Sequence, residues 1–485
     1  MTITDGVDGY LYQRLADDLA AGIRSGGYRV GERLPSLRRF SHKTGVSLST
    51  ALQVYRTLEA AQLVEARPKS GYFVCPQPVS GVREPGMSRP SMAPGIVTNA
   101  QLALDILEEA RRPELVNLGA ALPGADLLPL KRISRIMSGL LRRTPELLGR
   151  YERPAGNDQL RRQLLRRWRE AGYDFRSDEI VVTNGCQEAL TLSLRAVARP
   201  GDVIAIESPT YYGILQTIES LGMKALEIPT HPRDGIDLDA LQRALDGGGV
   251  RACLLIPSFN NPLGACMPLE NRQRLARMLD RSGVPLIEDD IYGDLGFERP
   301  RLPPVKAFDR GGRVLLCASF SKTLVPGYRI GYVLAGDWTE RLRHLKLLGN
   351  VATAGLPQVA LAEYLQRGDY DRLVRQAAQT YRWRSEQYRA LVLKHFPPGT
   401  LVTRPLGGFV LWVEMPPAVD GVRLHDLARQ AGISVTPGVI FSPSGDYRHH
   451  LRLSCGQLTA DQAAPAIREL GRLAASLLRD QRRKA

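Results

Sequence analysis

The sequence has 485 residues, of which 44% are apolar and 24% are charged, a balance typical of a globular protein with two to three domains. It contains no apolar run near the roughly 18–20 residues of a membrane-spanning helix, which excludes a membrane-embedded protein. The net charge of +15 favours a polyanionic partner, although arginine-rich compositions reach the same sign without one.

The N-terminus, the cysteines and the histidines exclude further classes of protein. Residues 1–20 are acidic and then amphipathic, so they are not a signal peptide, and a cytoplasmic location is expected. The six cysteines include no CxxC pair, which argues against a zinc site and against a disulfide framework. The seven histidines show no metal-ligand spacing, and His449 and His450 are expected on opposite faces of a strand. No metal site is predicted.

Residues 9–75 have the pattern of a small helical unit followed by a hairpin. Apolar side chains recur every four residues over 11–23, which indicates the core face of a helix. Ser36 is a candidate N-cap of a second, short helix that ends at Gly45. A third helix is predicted over 48–61, where apolar residues again recur at helical spacing.

The third helix and the following hairpin predict a winged helix-turn-helix. Ser47 or Ser49 is expected to cap the helix, and "LVEARPKSGYFV" predicts two strands around a turn. In this architecture the helix lies in the major groove, and the hairpin reaches the neighbouring backbone or minor groove. The candidate DNA contacts are Arg38, Ser47, Ser49, Thr50, Arg56, Arg67 and Lys69. The alternative is a small helical cap whose polar residues are only solvated.

Residues 76–112 differ in composition from their surroundings. The stretch "PQPVSGVREPGMSRPSMAPGIV" is rich in Pro, Ser and Gly and has no apolar periodicity. It predicts a linker that is semi-rigid where the prolines fall. The linker separates a DNA-binding unit at 1–75 from a second unit at 113–485.

The second unit alternates short apolar runs with helical stretches from about residue 175. Near-continuous apolar strands between helices predict a mostly parallel, seven-stranded sheet covered on both faces. The seven runs are "EIVVTNG", "DVIAIESP", "KALEIPT", "ACLLIPS", "PLIEDD", "VLLCASFSK" and "IGYVLAG". A later group of strands and a terminal helix predict a smaller α+β part, so the large subdomain is assigned to about 113–365 and the small one to about 366–485.

Lys322 follows an apolar run in "SFSKTLVPGYRIGY", so it is expected at the end of a buried strand. A buried ammonium is costly unless it is paired, neutralised or chemically used. A reactive lysine in this position suggests Schiff-base chemistry, and pyridoxal 5′-phosphate (PLP) is a cofactor of that kind. PLP would need a phosphate site, a carboxylate for its ring nitrogen, donors for its 3′ oxygen and a flat partner for its ring.

The sequence offers candidates for each need, because ligands bind at the carboxyl ends of parallel strands and polar residues follow the runs there. The phosphate candidates are Arg329, Ser319 and Ser321 around Lys322, and Gly185, Cys186 and Gln187 at a strand–helix junction with free amides. The other candidates are Asp289 for the ring nitrogen, Tyr292 near the 3′ oxygen, Asn261 in the turn "NNPLG" and Tyr211 for the ring face. Asp290 competes with Asp289, and Tyr212 with Tyr211.

Three motifs carry a resemblance to known families: "SFSKTLVPGYRIGY", "NNPLG" and "EDDIYGDL". Residues 113–480 resemble the fold-type I aminotransferases of class I/II, an α/β PLP-dependent transferase fold. Residues 9–75 resemble the GntR winged-helix family, and the fusion resembles the MocR subfamily of bacterial regulators. The resemblance implies that Lys322 forms an internal aldimine with PLP and that the residues named above take the roles given to them.

The resemblance also implies an effector site and a dimer. Arg452 in "LRLSCG" matches the arginine that binds a substrate α-carboxylate, and Tyr151 in "GRYERPAG" matches the tyrosine that reaches the partner subunit's phosphate. A homodimer follows, with a head-to-tail arrangement as one option. The family usually has a small residue where Cys186 stands.

The function expected from this resemblance is a transcriptional regulator that binds operator DNA and senses PLP, an amino acid or another amine through its aldimine. The alternative is an active aminotransferase with an accessory DNA-binding domain, because nothing in the sequence disables proton transfer by Lys322.

Overall fold

The computed structural model describes residues 11–24, 27–28, 31–61, 63–67, 70–75, 83–97, 100–109 and 112–484. The chain divides into two compact units, Met1–Val82 and Arg83–Ala485. Within the described ranges, no helix has both the length and the apolar character needed to cross a membrane.

The N-terminal unit has the predicted order of three helices and a hairpin. Its two strands pair antiparallel, with Val64 opposite Val74. Its elements are α1 (Leu11–Arg24), α2 (Leu37–Thr44), α3 (Leu48–Ala60), β1 (Val64–Arg67) and β2 (Gly71–Val74).

Serine caps begin both helices of the helix-turn-helix. The Ser36 hydroxyl accepts a hydrogen bond from the Arg39 amide at 3.3 Å, and Gly45 ends α2 in the left-handed region. Ser47, not Ser49, caps α3 by accepting from the Thr50 amide at 3.1 Å. Because each cap satisfies an amide that the helix leaves unpaired, the turn between α2 and α3 is fixed by sequence-local bonds.

The second unit contains the remaining helices and strands. Its helices are α4 (Ala100–Glu109), α5 (Leu130–Arg143), α6 (Asp158–Glu170), α7 (Gly185–Val197), α8 (Tyr212–Ser220), α9 (Leu238–Asp246), α10 (Leu269–Ser282), α11 (Thr339–Asn350), α12 (Gly355–Gln366), α13 (Tyr370–His395), α14 (Gly421–Gln430) and α15 (Ala460–Lys484). Its strands are β3 (Val116–Asn117), β4 (Ile180–Thr183), β5 (Val203–Ser208), β6 (Lys224–His231), β7 (Gly235–Ile236), β8 (Val250–Leu255), β9 (Leu286–Asp289), β10 (Val314–Ser319), β11 (Gly331–Leu334), β12 (Leu401–Val402), β13 (Val410–Glu414), β14 (Ile433–Ser434), β15 (Thr436–Pro437) and β16 (His450–Ser454).

The large sheet runs in the order β4-β11-β10-β9-β8-β5-β6-β7. All seven predicted strands are present, and all are parallel except β11, which is antiparallel to both neighbours. The eighth strand, β7, pairs antiparallel with the end of β6 and has only two residues, too few to produce a periodic signal in the sequence. Helices cover both faces, which explains why the strands are almost continuously apolar.

The small subdomain is built on the antiparallel sheet β12-β13-β16-β15. One expectation about this sheet is wrong: His449 and His450 do not point to opposite faces, because their ring centroids lie 4.3 Å apart. The reason is that β16 begins only at His450, so the alternation of side chains along a strand does not extend to His449.

The structure also differs from the linker predicted at 76–112. From Arg83 onward the chain belongs to the second unit, where it lies along the edge of β6. Gly95 and Ala225 exchange two backbone hydrogen bonds of 2.8 and 3.0 Å, and the Ser88 amide donates to the Thr230 carbonyl at 3.2 Å. We call residues 83–97 and 100–109 the docked segment; residues 76–82 lie outside the described residues.

Two further contacts hold the docked segment. Glu84 forms an ion pair with Arg233 at 2.7 Å. Its helix α4 then buries Ala103 and Ile106 in an apolar cluster that includes Tyr212, Trp412 and Phe441. The segment forms hydrogen bonds with β6 only at isolated positions. Proline has no backbone N–H, so a proline-rich stretch can make such isolated bonds although it cannot form a continuous β-ladder.

Candidate functional site

A cavity of about 300 Å³ lies where the parallel strands end. Ten of the predicted site residues line it: Cys186, Gln187, Tyr211, Asn261, Asp289, Tyr292, Ser321, Lys322, Arg329 and Arg452. The other lining residues are mostly apolar: Ala120, Ala121, Leu122, Leu190, Tyr212, Ile256 and Ile291. The fold therefore brings together residues that are up to 266 positions apart in the sequence (452 − 186 = 266).

Lys322 lies three residues beyond the end of β10, and its amine points into this cavity. The ammonium donates a hydrogen bond to the carbonyl of Ala121. Burial, together with the nearby charges of Arg452 and Arg329, lowers the pKa of Lys322 to about 8, although Asp289 opposes this shift. The lowered pKa increases the share of neutral amine at a given pH, and the neutral amine is the form that attacks a carbonyl carbon.

Asp289 is the last residue of β9 and is fully buried. Its Oδ1 accepts hydrogen bonds from the Cys186 thiol at 3.3 Å and from the Ile291 amide at 3.1 Å. Burial raises the pKa of Asp289 to about 6. Its neighbour Asp290 does not line this cavity, because its side chain points to the other side of the loop and pairs with Arg301.

Arg329 and Ser321 form one end of the cavity. The Arg329 guanidinium donates to the Ser321 hydroxyl at 3.2 Å and to the Asn184 carbonyl at 3.3 Å. Two predicted phosphate residues lie behind them and do not line the cavity. The Ser319 hydroxyl accepts from the Ser321 amide at 3.1 Å, and a side chain on Gly185 would place its Cβ 2.5 Å from an Arg329 nitrogen.

The first residues of α7 lie at the same end of the cavity. Helix α7 begins at Gly185, so the amides of its first turn have no partner within the helix. The Gln187 side chain is already held, because it donates to the Gly213 carbonyl at 3.0 Å and to the Thr217 hydroxyl at 2.6 Å. Burial and the charge of Asp289 raise the pKa of Cys186, which keeps it a neutral thiol.

Aromatic side chains form the walls between the two ends. Tyr211 and Tyr212 both line the cavity, with ring centroids 4.8 Å apart and planes inclined at 53°. Tyr292 is buried, and its ring lies edge-on to Phe409 at 5.5 Å. Tyr211 is half-buried, whereas Tyr212 is only 6% exposed and packs in the apolar cluster that contains Trp412 and Phe441.

Arg452 is a buried cation that lines the cavity from β16 of the small subdomain, and only 1% of it is exposed. It donates to Asn261 Oδ1 at 3.2 Å, to the Thr436 hydroxyl at 3.1 Å and to the Gly119 carbonyl. These acceptors are all neutral. No carboxylate among the described residues forms an ion pair with Arg452, and burial lowers its pKa. A buried guanidinium without a counter-ion favours an anionic ligand.

Tyr151 is far from being buried in this cavity, since 91% of it is exposed. The cavity of one chain therefore forms without it.

The predicted DNA contacts are mostly exposed on the N-terminal unit. Arg38, Ser47, Ser49 and Arg56 are exposed, and Thr50 is half-buried. The Ser47 hydroxyl lies 2.7 Å from that of Ser49 and 2.9 Å from that of Thr50, so Ser47 forms a hydrogen bond with each of them. Arg67 belongs to β1 but its side chain, like the whole of Lys69, lies outside the described residues.

Comparison with known proteins finds relatives of both units. Residues 128–470 match the family "Aminotransferase class I and II", and residues 11–74 match "Bacterial regulatory proteins, gntR family". The "Uncharacterized HTH-type transcriptional regulator YjiR" of Escherichia coli (strain K12) is 37% identical to this chain, in an alignment that covers 95% of this chain and 98% of that protein. The "2-aminoadipate transaminase" of Thermus thermophilus is 30% identical over 77% of this chain and 94% of its own length.

The solved structures include similar aminotransferases. The crystal structure of LysN, an alpha-aminoadipate aminotransferase from Thermus thermophilus complexed with N-(5′-phosphopyridoxyl)-L-leucine, superposes with a TM-score of 0.71 at 28% identity. The match covers 79% of this chain and 100% of that chain.

Proposed function

This chain belongs to the MocR subfamily, in which a GntR-type DNA-binding domain precedes a domain of the aminotransferase class I and II family, and from that membership we propose that it is a PLP-dependent transcriptional regulator. One observation carries the proposal: Lys322, Asp289 and Arg329 line a single cavity in a chain that also has a winged helix-turn-helix.

The cavity residues fit PLP. Lys322 offers an amine with a lowered pKa, and Asp289 offers a buried carboxylate suited to a ring nitrogen that carries a proton. Arg329, Ser321 and the first turn of α7 supply a cation, a hydroxyl and unpaired amides for a phosphate. When bound, PLP supplies an aldehyde that condenses with primary amines and a ring that withdraws electrons.

Arg452 suits the carboxylate of an amino acid effector. Its fork of donors matches a carboxylate in two parallel hydrogen bonds, which a lysine cannot make. The neutral acceptors around it orient the guanidinium without neutralising its charge. We include an amino acid or amine effector in the proposal on this ground.

The remaining residues orient and enclose a ligand. Asn261 holds Arg452 through its Oδ1, and Tyr211 and Tyr212 form an aromatic wall. Tyr151 has no role within one chain, and its exposure supports a proposed homodimer in which it reaches the partner's cavity.

Regulation requires that the ligand bind one arrangement of the protein more tightly than another, since only a difference in affinity shifts the population. The test is fluorescence anisotropy on a DNA fragment from upstream of the protein's own gene, at moderate salt. We expect binding above that of a scrambled fragment, and a change in affinity on adding PLP or an amino acid. Lys322→Ala should bind the same DNA without responding to PLP. Equal binding of both fragments would sink the proposal.

An active aminotransferase is the second candidate, and one observation favours it: Lys322 and Arg452 line the same cavity, so an amino acid and the lysine would meet there. Repeated turnover of an amino donor with a keto acid, without any effect of DNA, would favour this candidate over the regulator.

A further inference from the structure

We propose that Glu414, His449 and His450 bind a divalent transition-metal ion, of which Zn²⁺ is the representative. This site is separate from the cavity around Lys322 and goes beyond the proposed function. Each of the three residues offers one donor atom, and these donor atoms all lie within 4.8 Å of one another.

The donors are spaced for an ion. His449 Nε2 lies 3.9 Å from Glu414 Oε1, and His450 Nε2 lies 3.7 Å from Glu414 Oε2. Both distances are too long for a hydrogen bond. They are close to the separation of about 3.3 Å expected between two ligands of a tetrahedral ion with metal–donor bonds of about 2.0–2.1 Å. The three donor atoms thus lie within 4.8 Å of one another, and neither imidazole is within hydrogen-bond distance of Glu414.

Strand pairing sets the positions of the donors. Glu414, the last residue of β13, lies opposite His450, the first residue of β16. His449 is held by its backbone, because its carbonyl accepts a hydrogen bond from the Met415 amide at 2.9 Å. A site built on paired strands needs little ordering when an ion binds, which favours affinity.

The surroundings orient one imidazole and leave the site open on one side. The His450 side chain is only 9% exposed; its ring stacks on Trp412 at 5.1 Å and meets Tyr447 edge-on at 5.4 Å. His450 Nδ1 is buried and has no hydrogen-bond partner within the described part of the chain. His449 and Glu414 are 32% and 29% exposed, so water can reach a fourth position on the ion.

The ligand types select the class of metal. Two imidazoles and one carboxylate suit Zn²⁺, Cu²⁺ or Ni²⁺, whereas Mg²⁺ and Ca²⁺ prefer oxygen ligands throughout. An ion here would join β13 to β16, the strand that carries Arg452 two residues further on.

The test is isothermal titration of the chelator-treated full-length protein with Zn²⁺. We expect one ion per chain, and Glu414→Gln and His449→Gln should each weaken binding by at least about 10-fold, the loss seen even for outer-shell partners. His231→Gln is the matched control, because His231 faces a single carboxylate, Asp234, at 3.2 Å. That variant should bind Zn²⁺ as the wild type does.

Cu²⁺ supplies a second readout. Bound beside His450, it is expected to quench the fluorescence of Trp412, and Glu414→Gln should remove that quenching while circular dichroism stays unchanged. The proposal is overturned if no Zn²⁺ binds up to about 1 mM, the weak end of specific binding. Equal Zn²⁺ affinity of the wild type and both site variants overturns it as well, since the ion would then lie elsewhere.

Discussion

Arg452 lowers the pKa of Lys322, because the guanidinium and the ammonium line the same cavity as two like charges. Arg452, which we propose binds the carboxylate of an effector, therefore also lowers the pKa of Lys322, which we propose binds the cofactor. An anion bound at Arg452 would offset its charge at Lys322, so the two roles are coupled through electrostatics alone.

Replacing Arg452 by Gln is expected to raise the pKa of Lys322 above its present value of about 8, since a nearby positive charge is removed. The rate at which cofactor-free protein takes up PLP, followed by absorbance against pH, should then have its midpoint at higher pH. Arg448→Gln is the control, because Arg448 is exposed and pairs with Asp420 at 2.6 Å. An unchanged midpoint in Arg452→Gln would contradict the coupling.

PLP affinity is expected to fall as the pH drops through about 6. The folded, cofactor-free protein holds the Asp289 proton more tightly than an unfolded chain does, because burial raises its pKa to about 6. Protonated Asp289 thus contributes to folding stability in full below the pKa that Asp289 has in the unfolded chain, and this contribution is lost as the pH rises through 6. Pairing with a protonated ring nitrogen requires the ionised form, so binding must release that proton at low pH.

Asp289→Asn separates this effect from titration of the phosphate, which has a pKa near 6 of its own. The variant should bind PLP more weakly at pH 8, by about 1.5–3 kcal/mol, the value of a hydrogen bond to a charged group. The part of the pH dependence due to Asp289 should vanish in it. Identical pH profiles for both proteins, measured by absorbance titration, would argue against Asp289 as the ring partner.

Gly185→Ala is expected to weaken PLP binding by displacing the Arg329 guanidinium, which would lie 2.5 Å from the new methyl group. Gly185 also has a positive φ of 80°, which costs any other residue about 1–2 kcal/mol. Gly283→Ala controls for that strain, since Gly283 has a φ of 70° and no atom within 4 Å of its Cβ position. Thermal unfolding should show that Gly185→Ala and Gly283→Ala are both less stable than the wild type. Only Gly185→Ala should bind PLP more weakly.

Ser88→Ala is expected to loosen the docked segment. The Ser88 hydroxyl accepts a hydrogen bond from the Thr230 amide at 2.7 Å, and an amide left without an acceptor costs about 1–3 kcal/mol. Hydrogen exchange at the amides of Gly95 and Ala225 should become faster, because their hydrogen bonds join the same segment to the same strand β6. Ser91→Ala, at an exposed position of the same segment, should leave the exchange unchanged.

The parts of the structure that follow local rules could be predicted from the sequence. Lys322 and Asp289 end apolar runs, so a parallel sheet must bring them to one edge. Ser36 and Gly45 bound a helix by bonds to residues within five positions. In each case the physical cause lies within a few residues of the feature.

Features that depend on distant partners could not be predicted. Ala121 lies in the site because its carbonyl accepts from Lys322, 201 positions away, and no nearby pattern signals this contact. Ser319 and Ser321 are alike in sequence, yet only the cavity shape shows that Ser321 faces inward and Ser319 supports it. The composition of residues 76–112 predicts a linker that is semi-rigid where the prolines fall, and the partners that hold residues 83–97 lie in β6 and at Arg233, more than 100 positions further along the chain.

The docked segment determines how many residues connect the N-terminal unit to the second unit. With the segment in place, eight Cα–Cα steps join Cys75 to Arg83 (83 − 75 = 8), a span of at most about 30 Å. If the segment left β6, 37 steps would join Cys75 to Arg112 (112 − 75 = 37), and the maximum span would rise to about 130 Å. In the proposed homodimer, two copies of α3 on short connections would reach only closely spaced half-sites, whereas long connections would admit many spacings at a lower effective concentration. The contacts between the docked segment and β6 would thereby restrict the half-site spacings that the proposed homodimer can bind.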